Sequence, residues 1–379
     1  MVGSPRPIKS FITTEDDGVN WIKIGDTEKG GRYIYTTKEK IKPSGVSRSR
    51  HVKENDFLLS NSMSFGRPYI LKTSGCIHDG WLVLSEYQEL FSADYLYYLL
   101  SSSLVQNQFE RLARGSTVRN LNIELVSQVT VPLPPLAEQQ RIVAKLDAAF
   151  AGIDAAIETV ETKKVAVEKL KTSLLSDLLI GDAVMTETLR LGDYYDVRDG
   201  THDSPKYVDE GFPLVTSKNL KDGKIDLSKI KYISEKDYLD INRRSCVDVG
   251  DVLMAMIGTI GNPVEIIEPP KFAIKNVALF KTNAEQSPAY LRYFLSHPRT
   301  VSRMMSDAKG ATQKFVGLGY LRNFPISVPP LAEQKRIVAK LDAIFSELAV
   351  ANEAIEQSKL NYQVMKSAIL AQELQSEAA

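Results

Sequence analysis

Pro134-Pro135-Leu136-Ala137-Glu138-Gln139-Gln140-Arg141-Ile142-Val143-Ala144-Lys145-Leu146-Asp147-Ala148 returns 195 residues later as Pro329-Pro330-Leu331-Ala332-Glu333-Gln334-Lys335-Arg336-Ile337-Val338-Ala339-Lys340-Leu341-Asp342-Ala343, with 14 of 15 positions identical. Chance does not produce such a match, and a period this long is not that of a solenoid. The same offset holds upstream. Asp56-Phe57-Leu58 aligns with Asp251-Val252-Leu253, and Gly66-Arg67-Pro68 with Gly261-Asn262-Pro263. Tyr95-Leu96-Tyr97-Tyr98 aligns with Tyr290-Leu291-Arg292-Tyr293, and Gly115-Ser116-Thr117 with Gly310-Ala311-Thr312. The chain therefore reads as two copies of one module, each a globular part followed by a helix. The expected segments are 1–133, 134–181, 182–328 and 329–379. Net charge follows the same alternation, at +2, −2, +2 and −2 over residues 1–133, 134–185, 186–328 and 329–379.

After each Pro-Pro the apolar residues recur at spacings of three and four. The first copy gives Val143, Leu146, Phe150, Ile153, Ile157 and Val160; the second gives Val338, Leu341, Phe345, Leu348 and Ile355. That is a coiled-coil seam. Lys164 and Lys171 interrupt it, and Lys359 and Lys366 interrupt the second copy at the same places. Polar seam residues cost stability but fix register. Pro in the first turn and Glu138 or Glu333 near the start suit a helix N-terminus. Two such helices with a large domain between them are expected to pair antiparallel, with the globular parts at opposite ends.

The globular parts read as α+β, each with a twisted, mostly antiparallel sheet. Short β-like runs fall at Trp21–Ile24, Tyr33–Tyr35, Phe57–Leu59, Tyr69–Leu71, Trp81–Leu84 and Val126–Val131, then at Val252–Ile257, Ala273–Phe280 and Ile326–Val328. One helix is expected over Ala93–Arg114 and its counterpart over Pro288–Met305. The stripes Tyr95/Tyr98 and Tyr290/Tyr293 have the spacing of a domain core, although aromatic rings also stack on bases. The second copy opens with a strand-like Leu189–Val197 for which Gly3-Ser4-Pro5 offers no match, so the first domain is expected to lack its opening strand.

Composition narrows the function. The 379 residues are 43% hydrophobic and 25% charged with zero net charge, which is the profile of a globular chain. No apolar run reaches the roughly 18 residues of a membrane span. Two cysteines and four scattered histidines have no metal-ligand spacing. There is no phosphate-cradling GxxxxGK[ST] loop, no dinucleotide GxGxxG, no HExxH and no GxSxG. No catalytic residue stands out, and a cytoplasmic, non-enzymatic protein is expected.

The doubled Pro-Pro-Leu-Ala-Glu-Gln-x-Arg-Ile-Val start, with divergent domains before it, resembles the DNA specificity subunit of type I restriction-modification enzymes over essentially the whole chain. The resemblance implies two target recognition domains, each reading one half of a bipartite, asymmetric DNA site, with the coiled coil setting the spacer. It also implies two modification subunits that methylate adenine with S-adenosylmethionine, and ATP- and Mg-dependent restriction subunits. No cofactor is expected on this chain itself. A coiled-coil scaffold or adaptor with no nucleic-acid role is the competing reading, slightly favoured by the neutral charge.

Candidate DNA-reading residues sit in polar loops at matched places: Ser60, Asn61, Ser62 and Arg67 with Thr259 and Asn262, and Thr117 and Arg119 with Thr312, Gln313 and Lys314. Basic candidates for phosphate are Lys38, Lys40, Arg48 and Arg50, and in the second copy Lys218, Lys221, Lys224, Arg243 and Arg244. For the modification-subunit interface the candidates are the outer helix faces with Glu138, Gln139 and Arg141, and Glu333, Gln334 and Arg336. These are identical in both copies, as two identical partners require.

Overall fold

The computed structural model describes residues 9–27, 31–61, 65–113, 120–179, 187–310 and 313–375. The chain divides into two compact units, residues 1–161 with 356–379, and residues 162–355. The division falls inside both long helices, Leu136–Leu179 and Leu331–Gln375.

The first unit carries two sheets where the sequence suggested one. Five strands lie in the order Ile12–Thr13, Glu39–Ile41, Val19–Ile22, Gly75–Ile77, Arg50–Val52, and four in the order Tyr33–Ile34, Pro68–Leu71, Phe57–Ser60, Trp81–Leu84. Most pairings are antiparallel, but Val19–Ile22 runs parallel to Gly75–Ile77 and Tyr33–Ile34 parallel to Pro68–Leu71. Alternation along Phe57–Ser60 explains its unbroken apolar run. Phe57 and Leu59 pack on helix residues Tyr95, Leu99 and Phe109, while Leu58 faces Ile22, Val52 and Ile77. The second unit repeats the plan, with Asp196–Asp199, Val277–Lys281, Val252–Ala255 and Gly261–Glu265 in one sheet. Tyr207–Val208, Lys231–Ile233, Phe212–Thr216 and Ala273–Lys275 form the other. Val252 and Met254 face the helices, and Leu253 and Ala255 the space beneath the second sheet.

Each unit contains an antiparallel helix pair. In the first, Leu370 and Leu374 enter the same core as Ile142 and Leu146, and Lys145 meets Glu373 at 3.0 Å. Lys366 reaches Asp154 at 2.6 Å and lies 4.9 Å from the Phe150 ring centre, and Lys359 pairs with Glu161. In the second, Leu175 and Leu179 join Ile337 and Leu341, and Lys171 sits 5.3 Å from the Phe345 ring centre. Three of the lysines that interrupt the seam, Lys171, Lys359 and Lys366, thus find a carboxylate or an aromatic face on the opposite helix, which fixes register at little cost. Of the seam residues, Leu146, Ile153, Val160 and Leu341 are buried, and Val143, Phe150, Ile157, Val338, Phe345, Leu348 and Ile355 half-buried.

Four local expectations are corrected. The single helix over Ala93–Arg114 is two, Ala93–Ser101 and Ser103–Leu112, and its counterpart is Pro288–Ser296 and Pro298–Asp307. The residue before Pro298 is driven out of the helical region, and Ser102 and His297 cap the following helix in extended conformation. The Ala273–Phe280 run breaks at Asn276, whose φ of 54° sends the chain from one sheet into the other. Finally, Val126–Val131 is no strand: Ile123–Val126 is a helical turn and no described strand pairs with the residues beyond it. The counterpart Pro325–Val328 is a strand because Glu187–Arg190 pairs with it. In the first unit side chains serve that backbone instead, Gln108 bonding both N–H and C=O of Thr130.

All four stripe tyrosines, Tyr95, Tyr98, Tyr290 and Tyr293, are buried, so they form core and do not stack on bases.

His297 is fully buried between its own helix start and the first long helix. Its Nδ1 accepts the Arg299 N–H at 3.0 Å, so the proton sits on Nε2, 3.1 Å from Ser176 Oγ. Burial, aided by Arg299, holds its pKa below 6.5. The unfolded chain then binds the proton more readily than the folded one. This contribution to stability is complete above about pH 6.5 and declines as pH falls toward the folded pKa. Thermal unfolding between pH 8 and 5 is expected to show that loss, and His297→Asn, which keeps a capping side chain, is expected to flatten it.

Candidate nucleic-acid interface

The second unit has a concave groove of about 760 Å³. It is lined by residues 214 and 216–221 together with Tyr207, Lys229, Lys231, Thr259, Asn262, Asn276 and Gln313. Four lysines, Lys218, Lys221, Lys229 and Lys231, face one carboxylate, Asp226. Lys221 is paired with Asp226 at 2.6 Å, and hydrogen bonds from Lys221 and Ser228 hold that carboxyl well below its usual range. Lys231 lies 4.2 Å from the Tyr207 ring centre. No ion pair among the described residues engages Lys218, Lys229 or Lys231. The lining of the groove is therefore net cationic although the chain is neutral.

Local sequence builds its rim. Gly258, Gly261 and Asn262 all have positive φ, which lets the turn after Val252–Ala255 fold tightly. Gly310, at φ 101°, could not carry a side chain, since a Cβ there would lie 2.2 Å from the Gln313 carbonyl oxygen. Lys309 and Phe315 exchange both backbone hydrogen bonds, and the Gly258 N–H donates to the Lys314 carbonyl at 2.8 Å. These bonds carry Gln313 to the groove, where it and Thr259 are exposed. Other polar groups there are already engaged. Asn262 Nδ2 donates to the Leu220 carbonyl at 3.2 Å, Asn219 is buried and caps Thr216, and Asn276 Oδ1 meets His202 Nδ1 at 2.8 Å.

Of the residues singled out in the second copy, the structure brings Lys218, Lys221, Thr259, Asn262 and Gln313 together in this groove. Lys314 is exposed next to Gln313 in the chain, and Lys224, on the hairpin Leu220–Ile225, is not part of the groove lining. Arg243 and Arg244 lie on the helix Glu235–Ser245, outside the groove lining, and pair with Asp240 and Asp199. Thr312 lies outside the described residues. Tyr207, Lys229, Lys231 and Asn276 were not foreseen. The alternation Lys229-Ile230-Lys231 leading into a strand was the signal for two of them.

In the first unit, Ser62, Thr117 and Arg119 lie outside the described residues. Ser60 is corrected: it is buried, and its Oγ accepts the Arg67 N–H at 3.0 Å, so it closes the turn and reaches no ligand. Asn61 donates to the Asp79 carbonyl at 2.9 Å, and Arg67 lies half-buried, 5.4 Å from the Tyr69 ring centre. The basic stretch is divided by the sheet. Lys40 is on Glu39–Ile41 and Arg50 on Arg50–Val52, with two strands between them. Lys38 is exposed and donates to the Gly25 carbonyl, and Arg48 sits 5.4 Å from the Phe11 ring centre.

At the helix starts the expectation for Gln139 and Gln334 is also corrected. Both are fully buried. Gln139 accepts the Ser92 N–H and donates to the Leu90 and Pro134 carbonyls. Gln334 accepts the Ser287 N–H and donates to the Pro329 carbonyl and the Tyr194 hydroxyl. Each pins a long helix to its own domain and is closed to outside partners. Truncation leaves several buried backbone groups unpaired, so Gln139→Ala is expected to cost about 3 kcal/mol, read as roughly 6–12 °C in Tm. Glu138 with Arg141 and Glu333 with Arg336 form i,i+3 ion pairs beside these pins, with both arginines exposed.

Among the described residues no cluster of His, Cys, Asp or Glu could hold a metal, and no helix is long and apolar enough to cross a membrane. Duplicated domains with divergent loops, a cationic groove and paired long helices fit a protein that recognises a polyanion in two parts. The model of the type I restriction modification DNA specificity domain matches residues 2–168 and again 186–359, and the chain belongs to that family. Its role is sequence specificity on DNA. It is 20% identical to the type I restriction enzyme EcoKI specificity subunit of Escherichia coli K12, covering 96% of this chain and 83% of that one. Its fold matches a chain from a solved structure on assembly and conformational transition of the type I R-M system, with TM-score 0.77 at 21% identity over 94% of this chain and 91% of that one. It also matches the HsdS subunit of Thermoanaerobacter tengcongensis, with TM-score 0.57 at 20% identity over 95% and 90% of the two chains.

Proposed function

We propose that the chain reads a bipartite, asymmetric site in double-stranded DNA, one half with each domain, and that the paired helices set the unread spacer between the halves. It does so without catalysing a reaction. Two modification subunits that methylate adenine with S-adenosylmethionine dock on the outer helix faces near Glu138/Arg141 and Glu333/Arg336, and ATP- and Mg-dependent restriction subunits join through them in the cytoplasm. The observation that carries the reading is the groove of the second unit, whose lining combines lysines suited to phosphate with the exposed polar side chains Thr259 and Gln313. Phosphate contacts position a protein on DNA, and side chains at base edges supply sequence. The same domain plan with different loop residues, Val118-Arg119-Asn120 against Gln313-Lys314-Phe315, suits two different half-sites.

The test is adenine methylation across the genome of cells that express this chain with its modification subunit. One bipartite motif with an unspecified spacer, lost when the chain is deleted, is the expected result. Unchanged methylation despite an assembled complex would overturn the reading.

A further inference from the structure

Each domain meets its long helix at the same place, and the two meetings are built differently. The Tyr98 hydroxyl donates to Asp147 on the helix Leu136–Leu179, and the Tyr293 hydroxyl donates to Asp342 on Leu331–Gln375. Tyr98 packs edge-on against Phe150 with ring centres 5.5 Å apart, and Tyr293 against Phe345 at 5.6 Å. These three residues in each unit are related by the offset of 195.

An arginine completes each set, and here the offset fails. In the first unit it is Arg32, from the loop before Tyr33–Ile34. It binds Asp94 at 2.7 Å and Asp147 at 3.4 Å, with its guanidinium 4.7 Å from both the Tyr97 and Tyr98 ring centres. In the second it is Arg292, which stands where the first copy has Tyr97. It approaches Glu265 at 3.6 Å and Asp342 at 3.8 Å and lies 4.2 Å from the Tyr293 ring centre. The position matching Arg32 is Leu227, and the positions matching Asp94 and Glu265 are Ala289 and Ile70. The cation and its second carboxylate have thus been supplied twice, from unrelated places, onto one tyrosine–aspartate pair. Simple inheritance from the duplicated module would have left them at matching positions.

Each guanidinium is held between carboxylates and an aromatic face, by charge and by the stacking of its plane, and the fork of Arg32 also donates to Asp94 and Asp147. We propose that Arg32–Asp147–Tyr98 and Arg292–Asp342–Tyr293 are positioning latches that fix the angle at which each recognition domain rides on its helix, and through it the spacer length the protein accepts. The inference rests on the bipartite reading above. One base pair adds about 3.4 Å of rise and roughly 35° of twist, so a domain free to rock on its helix accepts neighbouring spacers.

The experiment compares the wild-type complex with complexes carrying Asp147→Asn or Asp342→Asn. Asparagine keeps a hydrogen-bond acceptor for the tyrosine and removes the charge that holds the arginine. Methylated sites are mapped and Tm is measured on the same preparations. The expected result is unchanged half-sites, with sites one base pair longer or shorter in spacer rising at least tenfold above their wild-type level. If either variant fails to assemble, Tyr98→Phe and Tyr293→Phe, which retain the contacts to Phe150 and Phe345, give the same readout. A spacer distribution identical to wild type, with only Tm or total methylation lowered, overturns the latches and leaves the bipartite reading intact. A wild-type complex with no bipartite motif overturns both.

Discussion

Replacing Lys218, Lys229 and Lys231 together by alanine is expected to weaken DNA binding by the assembled complex at least a hundredfold at moderate salt. It should also make the remaining affinity less salt-dependent. Each lysine that neutralises a phosphate releases a counterion, and the log–log slope against salt falls by about 0.9 per neutralised phosphate. With three such lysines removed, the slope should shrink by nearly 3, for every DNA sequence alike. Lys221 is left out because its charge is held by Asp226 at 2.6 Å. Gln313→Ala is the complementary change. An exposed amide at a base edge contributes roughly 1–3 kcal/mol of discrimination, so specificity at one base pair should relax about 5- to 150-fold while the salt slope stays put. Salt titrations on the native half-site and on single-base variants separate the two effects. An unaltered slope in the triple variant would place the DNA elsewhere on the domain.

The contrast between those two variants marks what the sequence could and could not announce. The repeat was legible because identity at one offset is a property of the string, and the seam because a helix converts spacing into a face. Gln139 and Gln334 were misread as surface, yet they fall at the 3-4 spacing Gln139-Ile142-Leu146 and Gln334-Ile337-Leu341, all six buried. A polar residue in a buried stripe is a fastening, and that signal was present. The break at Ser102 was hidden because a serine between apolar helical residues looks like a tolerated polar position. Val126–Val131 has strand composition, but a strand needs a partner, and no described strand supplies one in the first unit as Glu187–Arg190 does in the second. The groove was legible only in part. Tyr207, Lys231, Asn276 and Gln313 come from segments far apart in the chain, and no local pattern records their meeting.

The largest change in specificity is expected from the helices. Four residues inserted into each, after Glu161 and after Ile355, should move the accepted spacer by one to two base pairs and leave both half-sites as they were. The two points face one another across the pair, since Glu161 meets Lys359, so a matched insertion keeps the flanking pairs Lys145–Glu373 and Lys366–Asp154 in register. Four residues add about 6 Å and roughly 40° of rotation. The rotation is close to the roughly 35° between neighbouring base pairs, and the translation lies between one and two base-pair steps. An insertion in only one helix would instead force the pair out of register, separating the seam lysines from their partners, and should cost stability without defining a new spacer. Mapping methylated sites in cells carrying the matched insertion decides the matter. Loss of the old spacer by more than tenfold with gain of a single longer one is the expected outcome. Retention of the old spacer by an assembled complex would mean that the helices do not measure the DNA.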